Sequence, residues 1–204
     1  EEGTLSTRKG RVVFLEDVLN KAVEKTREII LEKNVNTDNL LETAKIVGIG
    51  AVVFNELSNS RAKDYVFSWD KVLNFEGETG PYVQYTYARA SSILRNAEPE
   101  LLEKVMEQGV VEPSYLITDS AFRLVRLIYK FDEVVVEASE RYEPSVIARY
   151  VVDVAQAFNR YYHEEHILVE NIEEQLSKLA LVVVTRSVIK EALNLLGVTA
   201  PEKM

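Results

Sequence analysis

The segment 77–95 carries the side chains best suited to contacting an unpaired nucleic acid. The chain has a formal net charge of -9, yet residues 79–97 contain no Asp or Glu. Arg89 stands there among Tyr82, Tyr85 and Tyr87. Flat rings stack on unpaired bases, and guanidinium groups neutralise phosphates. A stripe of rings is also typical of a helix packed between neighbours, so both interpretations stay open at this point.

A second group of chemically suggestive residues stands near the start of the sequence. Ser6, Thr7, Arg8 and Lys9 combine two hydroxyls with two adjacent cations, next to a glycine. Hydroxyls donate to phosphate oxygens, cations neutralise them, and glycine lets the backbone approach closely. These are the parts of a phosphate clamp, although the spacing is not that of a Walker loop. A polar terminal segment without a ligand has the same composition.

The composition excludes several kinds of site. The sequence has no Cys and only two His, which rules out disulfides and a Cys nucleophile and argues against a zinc site. We predict no metal site, and we interpret His163, beside Glu164 and Glu165, as a surface residue paired with a carboxylate. No apolar run reaches the roughly 18–20 residues of a membrane span. A signal-peptide pattern is also absent, so the expected location is the cytoplasm, with no membrane partner.

The periodicity of apolar residues predicts a mainly helical chain. Helices are expected at 16–33, 40–54, 80–97, 118–131, 132–142, 144–166 and 171–196, a strand end at 12–14, and a mobile acidic connection between 98 and 113. Gly48 and Gly50 should mark a break or a close helix contact. Short connections imply antiparallel neighbours. The predicted fold class is therefore all-α, with a helical bundle over 78–204 preceded over 1–77 by a short strand, a loop and connecting helices.

Two of these helices carry the groups that matter for binding. In the first, Pro81 suits the opening turn, and Tyr82, Tyr85 and Arg89 fall on the side opposite the apolar residues. In helix 144–166, an apolar stripe that includes Tyr161 and Tyr162 is expected to face the core. That arrangement leaves Asn159, Arg160 and His163 toward solvent or a groove.

Four stretches resemble the arginyl-tRNA synthetases. LSTRKG at 5–10, followed by VVFL, is similar to the second class I signature loop of that family. FEGETGPYVQYTYAR at 75–89 resembles its most recognisable C-terminal motif. EPS at 143–145 with FNRYY at 158–162, and the ending PEKM at 201–204, match it too. The resemblance runs in the family's order along the whole chain.

This resemblance implies that the chain is the C-terminal portion of an ATP-dependent arginine–tRNA ligase. Ser6, Thr7, Arg8 and Lys9 would stabilise the departing pyrophosphate, with ATP and Mg²⁺ bound in the whole enzyme. Thr7 stands where the usual loop has a lysine, so Arg8 and Lys9 both remain candidates for its role. By this resemblance the family's N-terminal catalytic region would precede residue 1, and without it we expect no activity, no bound ATP or Mg²⁺, and a disordered or rearranged loop.

The resemblance also implies the partner and the contacts. The partner would be tRNA-Arg. The N-terminal catalytic region would be a second partner, and the chain would be a monomer. The implied anticodon contacts are Tyr82, Gln84, Tyr85, Arg89, Asn159, Tyr161, Tyr162 and Met204.

The alternative is a helical protein-interaction module with no RNA role, whose acidic surface would favour a basic partner. Exposed tyrosines and Arg89 beside a basic groove would favour RNA, and a contiguous apolar patch would favour protein. The absence of a nucleotide-binding fold argues against a free-standing enzyme.

Overall fold

The computed structural model describes residues 13–32, 39–60, 62, 64–109 and 112–204, and in this part of the chain the regular elements are helices, without strands. The helices are α1 Leu15–Glu32, α2 Leu40–Ser58, α3 Trp69–Val72, α4 Gly80–Asn96, α5 Pro99–Gln108, α6 Asp119–Tyr129, α7 Phe131–Arg141, α8 Ser145–Glu164 and α9 Ile172–Leu195, with a 3-10 turn at Pro113–Tyr115. The predicted all-α class is confirmed. The predicted signature loop, Ser6, Thr7, Arg8 and Lys9, lies outside the described residues. The expectation that this loop is disordered or rearranged therefore stays a prediction.

Two predictions about local structure are wrong. Val13 and Phe14 do not form the expected strand end; they lie in irregular, exposed backbone just before α1. The expected mobile connection after residue 98 is largely the helix α5, which begins with Pro99. Leu101 and Val105, four residues apart, are both buried in the main core. Their burial stabilises a helix in a segment whose acidic residues had suggested a loop.

The main core lies where α4, α8 and α9 pack together. Its largest fully buried side chains include Tyr87, Phe158 and Leu179. Helix α2 joins this core through Phe54 and contributes Val52 to a second, smaller cluster with α1. A Cβ on Gly48 would lie 2.8 Å from the carbonyl oxygen of Ala22, so the glycine permits the close contact of α1 with α2.

Helix α4 begins where the sequence predicts and has the two predicted faces. The Thr79 side chain accepts a hydrogen bond from the Tyr82 backbone N–H, and proline occupies the first turn. Val83 and Tyr87 are fully buried, whereas Tyr85 is 40% exposed. The helix is therefore held along one side by the core and presents the other side to solvent.

An ion cluster fastens α9 to the end of α8. The Lys178 ammonium lies 3.0 Å from a Glu165 oxygen and 2.8 Å from a Glu174 oxygen. It also donates to the His166 carbonyl at 2.9 Å. Burial favours a lower pKa for Lys178, but the two carboxylates outweigh it, and its pKa is raised. Separately, the Asn171 side chain caps the start of α9 by accepting hydrogen bonds from the Glu173 and Glu174 backbone N–H groups.

Candidate nucleic-acid interface

Four of the predicted binding residues of α4 and α8 line a cleft of about 590 Å³, which we call the ring cleft: Tyr82, Tyr85, Arg89 and Asn159. Its walls come from α1, α4, α8, the segment before α4 and the last residue of the sequence. The lining residues that matter below are Tyr82, Tyr85, Arg89, Asn159, His163 and Met204. This volume is within the range typical of small-ligand sites, about 300–1,000 Å³.

Arg89 lies between two exposed aromatic rings. Its guanidinium carbon is 5.0 Å from the centroid of Tyr85 and 5.1 Å from that of Tyr162. Each of these tyrosines is 40% exposed. A planar guanidinium between two rings gains cation–π attraction and keeps one orientation. Because Tyr85 and Arg89 line the ring cleft and Tyr162 lies on the adjoining surface, the site offers a fixed cation flanked by flat surfaces.

Asn159 holds Arg89 and Tyr82 in position through hydrogen bonds. Its side-chain oxygen accepts a hydrogen bond from Arg89. Its amide nitrogen donates to the Tyr82 hydroxyl and to the Thr86 hydroxyl, both at 2.9 Å. Because the residue is only 9% exposed and both ends of its amide are used, Asn159 positions Arg89 and Tyr82 and has little surface of its own to offer.

The C-terminal segment is tied across α4, which places Met204 in the cleft. Gln84 donates to the Thr199 carbonyl at 2.8 Å. The Tyr87 hydroxyl donates to the Glu202 carboxylate at 2.7 Å, and Arg186 on α9 pairs with the same carboxylate. These contacts hold the segment at two points, Thr199 and Glu202, so the last residues follow a defined path.

The pKa values of the Tyr87–Glu202 pair reflect this attachment. Burial, reinforced by the hydrogen bond to Glu202, raises the pKa of Tyr87 to about 12. Burial alone would raise the pKa of Glu202, but the donors Tyr87 and Arg186 outweigh it and hold that pKa below its ordinary value. The tyrosine therefore remains a neutral donor and the glutamate an ionised acceptor at neutral pH.

The lowered pKa of Glu202 predicts an acid-sensitive attachment. An ionised Glu202 stabilises the folded chain above its ordinary pKa of 4.5, and this contribution is lost as the pH falls through the lower folded-state pKa. The carboxylate is partly exposed, so Glu202→Gln should cost at most about 1 kcal/mol at neutral pH. Urea unfolding followed by circular dichroism measures this difference. The difference in unfolding free energy between the wild type and Glu202→Gln should shrink toward zero in acid. With Tyr87→Phe in both chains, this difference should depend less on pH. A difference that stays constant into strong acid would contradict this account.

The structure corrects the placement of several predicted contacts. Gln84 and Tyr161 are 0% and 1% exposed, so neither side chain reaches the surface. Gln84 instead holds the C-terminal segment, and its other donor contact is the Ile46 carbonyl. Burial, with the nearby Glu165 carboxylate, raises the pKa of Tyr161. On α8 the expected orientations are reversed for two residues, because Tyr162 is exposed and Asn159 is buried.

Sequence reasoning missed the residues that hold the predicted contacts and the C-terminal segment in position. Thr86 supports Asn159, and Arg186 and Glu202 fasten the C-terminal segment. Arg186 is 95 residues from Ser91 in sequence, yet its guanidinium donates to the Ser91 hydroxyl at 2.8 Å and lies 4.9 Å from the Tyr87 ring centroid. Of these residues, only Thr86 could have been found from the sequence, because it follows Tyr82 by four residues and therefore lies on the same face of the helix.

Two further properties concern only the part of the chain that the structure describes. There, no three His, Asp or Glu side chains come together as metal ligands would. No helix in that part is long and apolar enough to cross a membrane.

Comparison with known families identifies the kind of domain to which the ring cleft belongs. Residues 83–204 match the DALR anticodon binding domain, and residues 1–69 match the catalytic domain of the tRNA synthetases class I (R). The chain belongs to the DALR anticodon-binding domain family of class I tRNA synthetases. Within that class, its relatives place it in the arginyl-tRNA synthetase family, as the C-terminal portion.

Those relatives are arginine–tRNA ligases. The proteins of Halothermothrix orenii and Clostridioides difficile are 53% and 52% identical over 204 residues, which is 100% of this chain and 35% of each relative. The chain thus spans about a third of the length of the curated relatives it matches. The arginyl-tRNA synthetase structure from Thermus thermophilus is 34% identical, with a TM-score of 0.83 over 95% of this chain and 32% of that one. The Plasmodium falciparum structure, 24% identical with a TM-score of 0.79 over 95% of this chain and 34% of that one, shares the fold.

Proposed function

We propose that this chain receives the anticodon loop of tRNA-Arg in the ring cleft. The observation that carries the proposal is the fixed Arg89 between the exposed Tyr85 and Tyr162 rings. Anticodon bases are unpaired, so they can stack on rings and be read at their edges. Met204, placed by the C-terminal attachments, adds a polarisable thioether to the same cleft.

The rest of the proposal concerns the whole protein. It would be a cytoplasmic arginine–tRNA ligase that consumes ATP with Mg²⁺, in which residues 1–77 connect to the catalytic region and residues 78–204 bind the anticodon. Ser6, Thr7, Arg8 and Lys9 would stabilise the pyrophosphate there. We propose a monomer. The alternative of a protein-interaction module is not favoured, because the family is an anticodon-binding one and the exposed rings flank a cation.

A comparison of two RNAs, one with an unpaired loop and one fully paired, tests the proposal. Fluorescence anisotropy at one stated salt concentration would compare the tRNA-Arg anticodon stem-loop with a duplex of equal length. The chain should prefer the stem-loop, and Tyr85→Ala should weaken that binding by about 1–3 kcal/mol per stacked base. Tyr142→Ala, which removes an exposed tyrosine beyond the end of α7, is the matched control and should leave the affinity unchanged. Equal binding of the two RNAs would contradict the proposal.

A further inference from the structure

A second cleft continues from the ring cleft toward the C-terminal end of α4. The two clefts share Tyr85, Arg89 and Met204. The residues that only the second one has include Tyr162, Ser92, Arg95, Asn96 and Lys203, and we call this second cleft the donor cleft. Its walls are thus rich in hydrogen-bond donors, whereas those of the ring cleft are rich in rings.

The two clefts lie along one stripe of α4. Tyr85, Arg89, Ser92 and Asn96 are spaced by four, three and four residues, which places them on the same side of a helix. The stripe therefore changes from an aromatic ring to a cation and then to hydroxyl and amide groups. An extended strand whose base enters the ring cleft would continue directly over these donors.

The charge of the donor cleft favours an anion. Arg89, Arg95 and Lys203 line it, and no Asp or Glu is among its lining residues in the described chain. The neighbouring Glu202 carboxylate is engaged by Tyr87 and Arg186. Arg95, in the last turn of α4, also offsets the partial negative charge of the helix C-terminus. In a chain with a net charge of -9, this is a local concentration of positive charge.

We propose that the donor cleft binds a backbone phosphodiester of the anticodon loop, next to the nucleotide whose base occupies the ring cleft. This assignment rests on the proposed function. One N–H of Arg95 donates to the Glu202 carbonyl at 2.8 Å. A guanidinium has about five such donors, so this bond does not exhaust it. Arg95 thus both fastens the C-terminal segment and contacts the phosphate.

Neutralising single phosphates of the anticodon stem-loop tests the assignment. Each loop phosphate is replaced in turn by an uncharged methylphosphonate, and binding to the wild-type chain and to Arg95→Gln is measured over a series of salt concentrations. One replacement should weaken wild-type binding about tenfold, as expected for a hydrogen bond to a charged group, and leave Arg95→Gln unaffected. The slope of log K against log salt should fall by about 0.7 in Arg95→Gln, the value for one phosphate of a single strand.

Control variants separate this role from a structural one. Arg95→Lys keeps the charge and should retain most of the salt slope. Arg141→Gln removes the same charge from α7, where Arg141 pairs with Glu137, and should leave the slope unchanged. If every methylphosphonate weakens Arg95→Gln as much as the wild type, the phosphate site is wrong, while stem-loop preference by the wild type would still uphold the proposed function. A wild-type chain that binds no stem-loop would overturn both.

Discussion

Arg89→Ala should weaken binding of the tRNA-Arg anticodon stem-loop by about 2 kcal/mol, or roughly thirtyfold in Kd. The substitution removes the cation from between the Tyr85 and Tyr162 rings and leaves the Asn159 oxygen without its Arg89 partner. Two rings that no longer flank a guanidinium are free to rotate, so the flat surfaces lose their fixed spacing. Anisotropy at one stated salt concentration measures the loss.

Variants of the same residue show which property of Arg89 matters. Arg89→Lys keeps the charge but has no planar group to lie between two rings, so it should recover only part of the affinity. Arg141→Ala removes an exposed cation from α7 and serves as the control for net charge. Full affinity in Arg89→Ala, with the fold intact by circular dichroism, would refute the role assigned to this residue.

Lys178→Met should lower the free energy of unfolding by about 3 kcal/mol, because removing one partner of a buried ion cluster leaves uncompensated charge. The Lys178 side chain is only 6% exposed and contacts Glu165 and Glu174, which the substitution would leave facing each other. The raised pKa of Lys178 means that its contribution is complete below its ordinary pKa of 10.5 and disappears as the pH rises through the folded-state pKa. Urea unfolding at neutral pH measures the loss.

An exposed ion pair on α8 provides the comparison for Lys178. Arg160 pairs with Glu164 at 2.8 Å, with side chains 57% and 45% exposed, so Arg160→Met should cost much less stability than Lys178→Met. Replacing Glu165 and Glu174 by Gln together with Lys178→Met should restore most of the stability, because no buried charge then remains unpaired. A loss of under about 1 kcal/mol in the single Lys178→Met variant would show that the cluster does not anchor α9.

Much of the fold was predictable because local signals agree with the packing. Pro81 in the first turn and the spacing of Val83, Tyr87 and Ala90 fixed both the start of α4 and its buried face. Asn171 marked the start of α9, and the positive φ of Gly197 confirms the predicted end of that helix. Helix α5 was missed because its two buried residues, Leu101 and Val105, gain their stability from contacts with distant helices.

The site was predictable in part, for a physical reason. Helix period shows which residues of α4 share a face, so Tyr82, Tyr85 and Arg89 were grouped correctly. It does not show that the C-terminal segment crosses α4, and this crossing is what buries Gln84 beneath Thr199. Likewise, Asn159 is buried because three groups on α4 satisfy its amide, which no pattern within α8 could indicate.

Discrimination between two anticodons tests the central claim most directly. The wild-type chain would be titrated with tRNA-Arg and with the same tRNA changed only in its anticodon, at one stated salt concentration. If the ring cleft reads unpaired bases, the arginine anticodon should bind more tightly, and deletion of Met204 should reduce the preference. Equal affinity for the two tRNAs would mean that the chain senses only the charge of the backbone, and it would contradict the account.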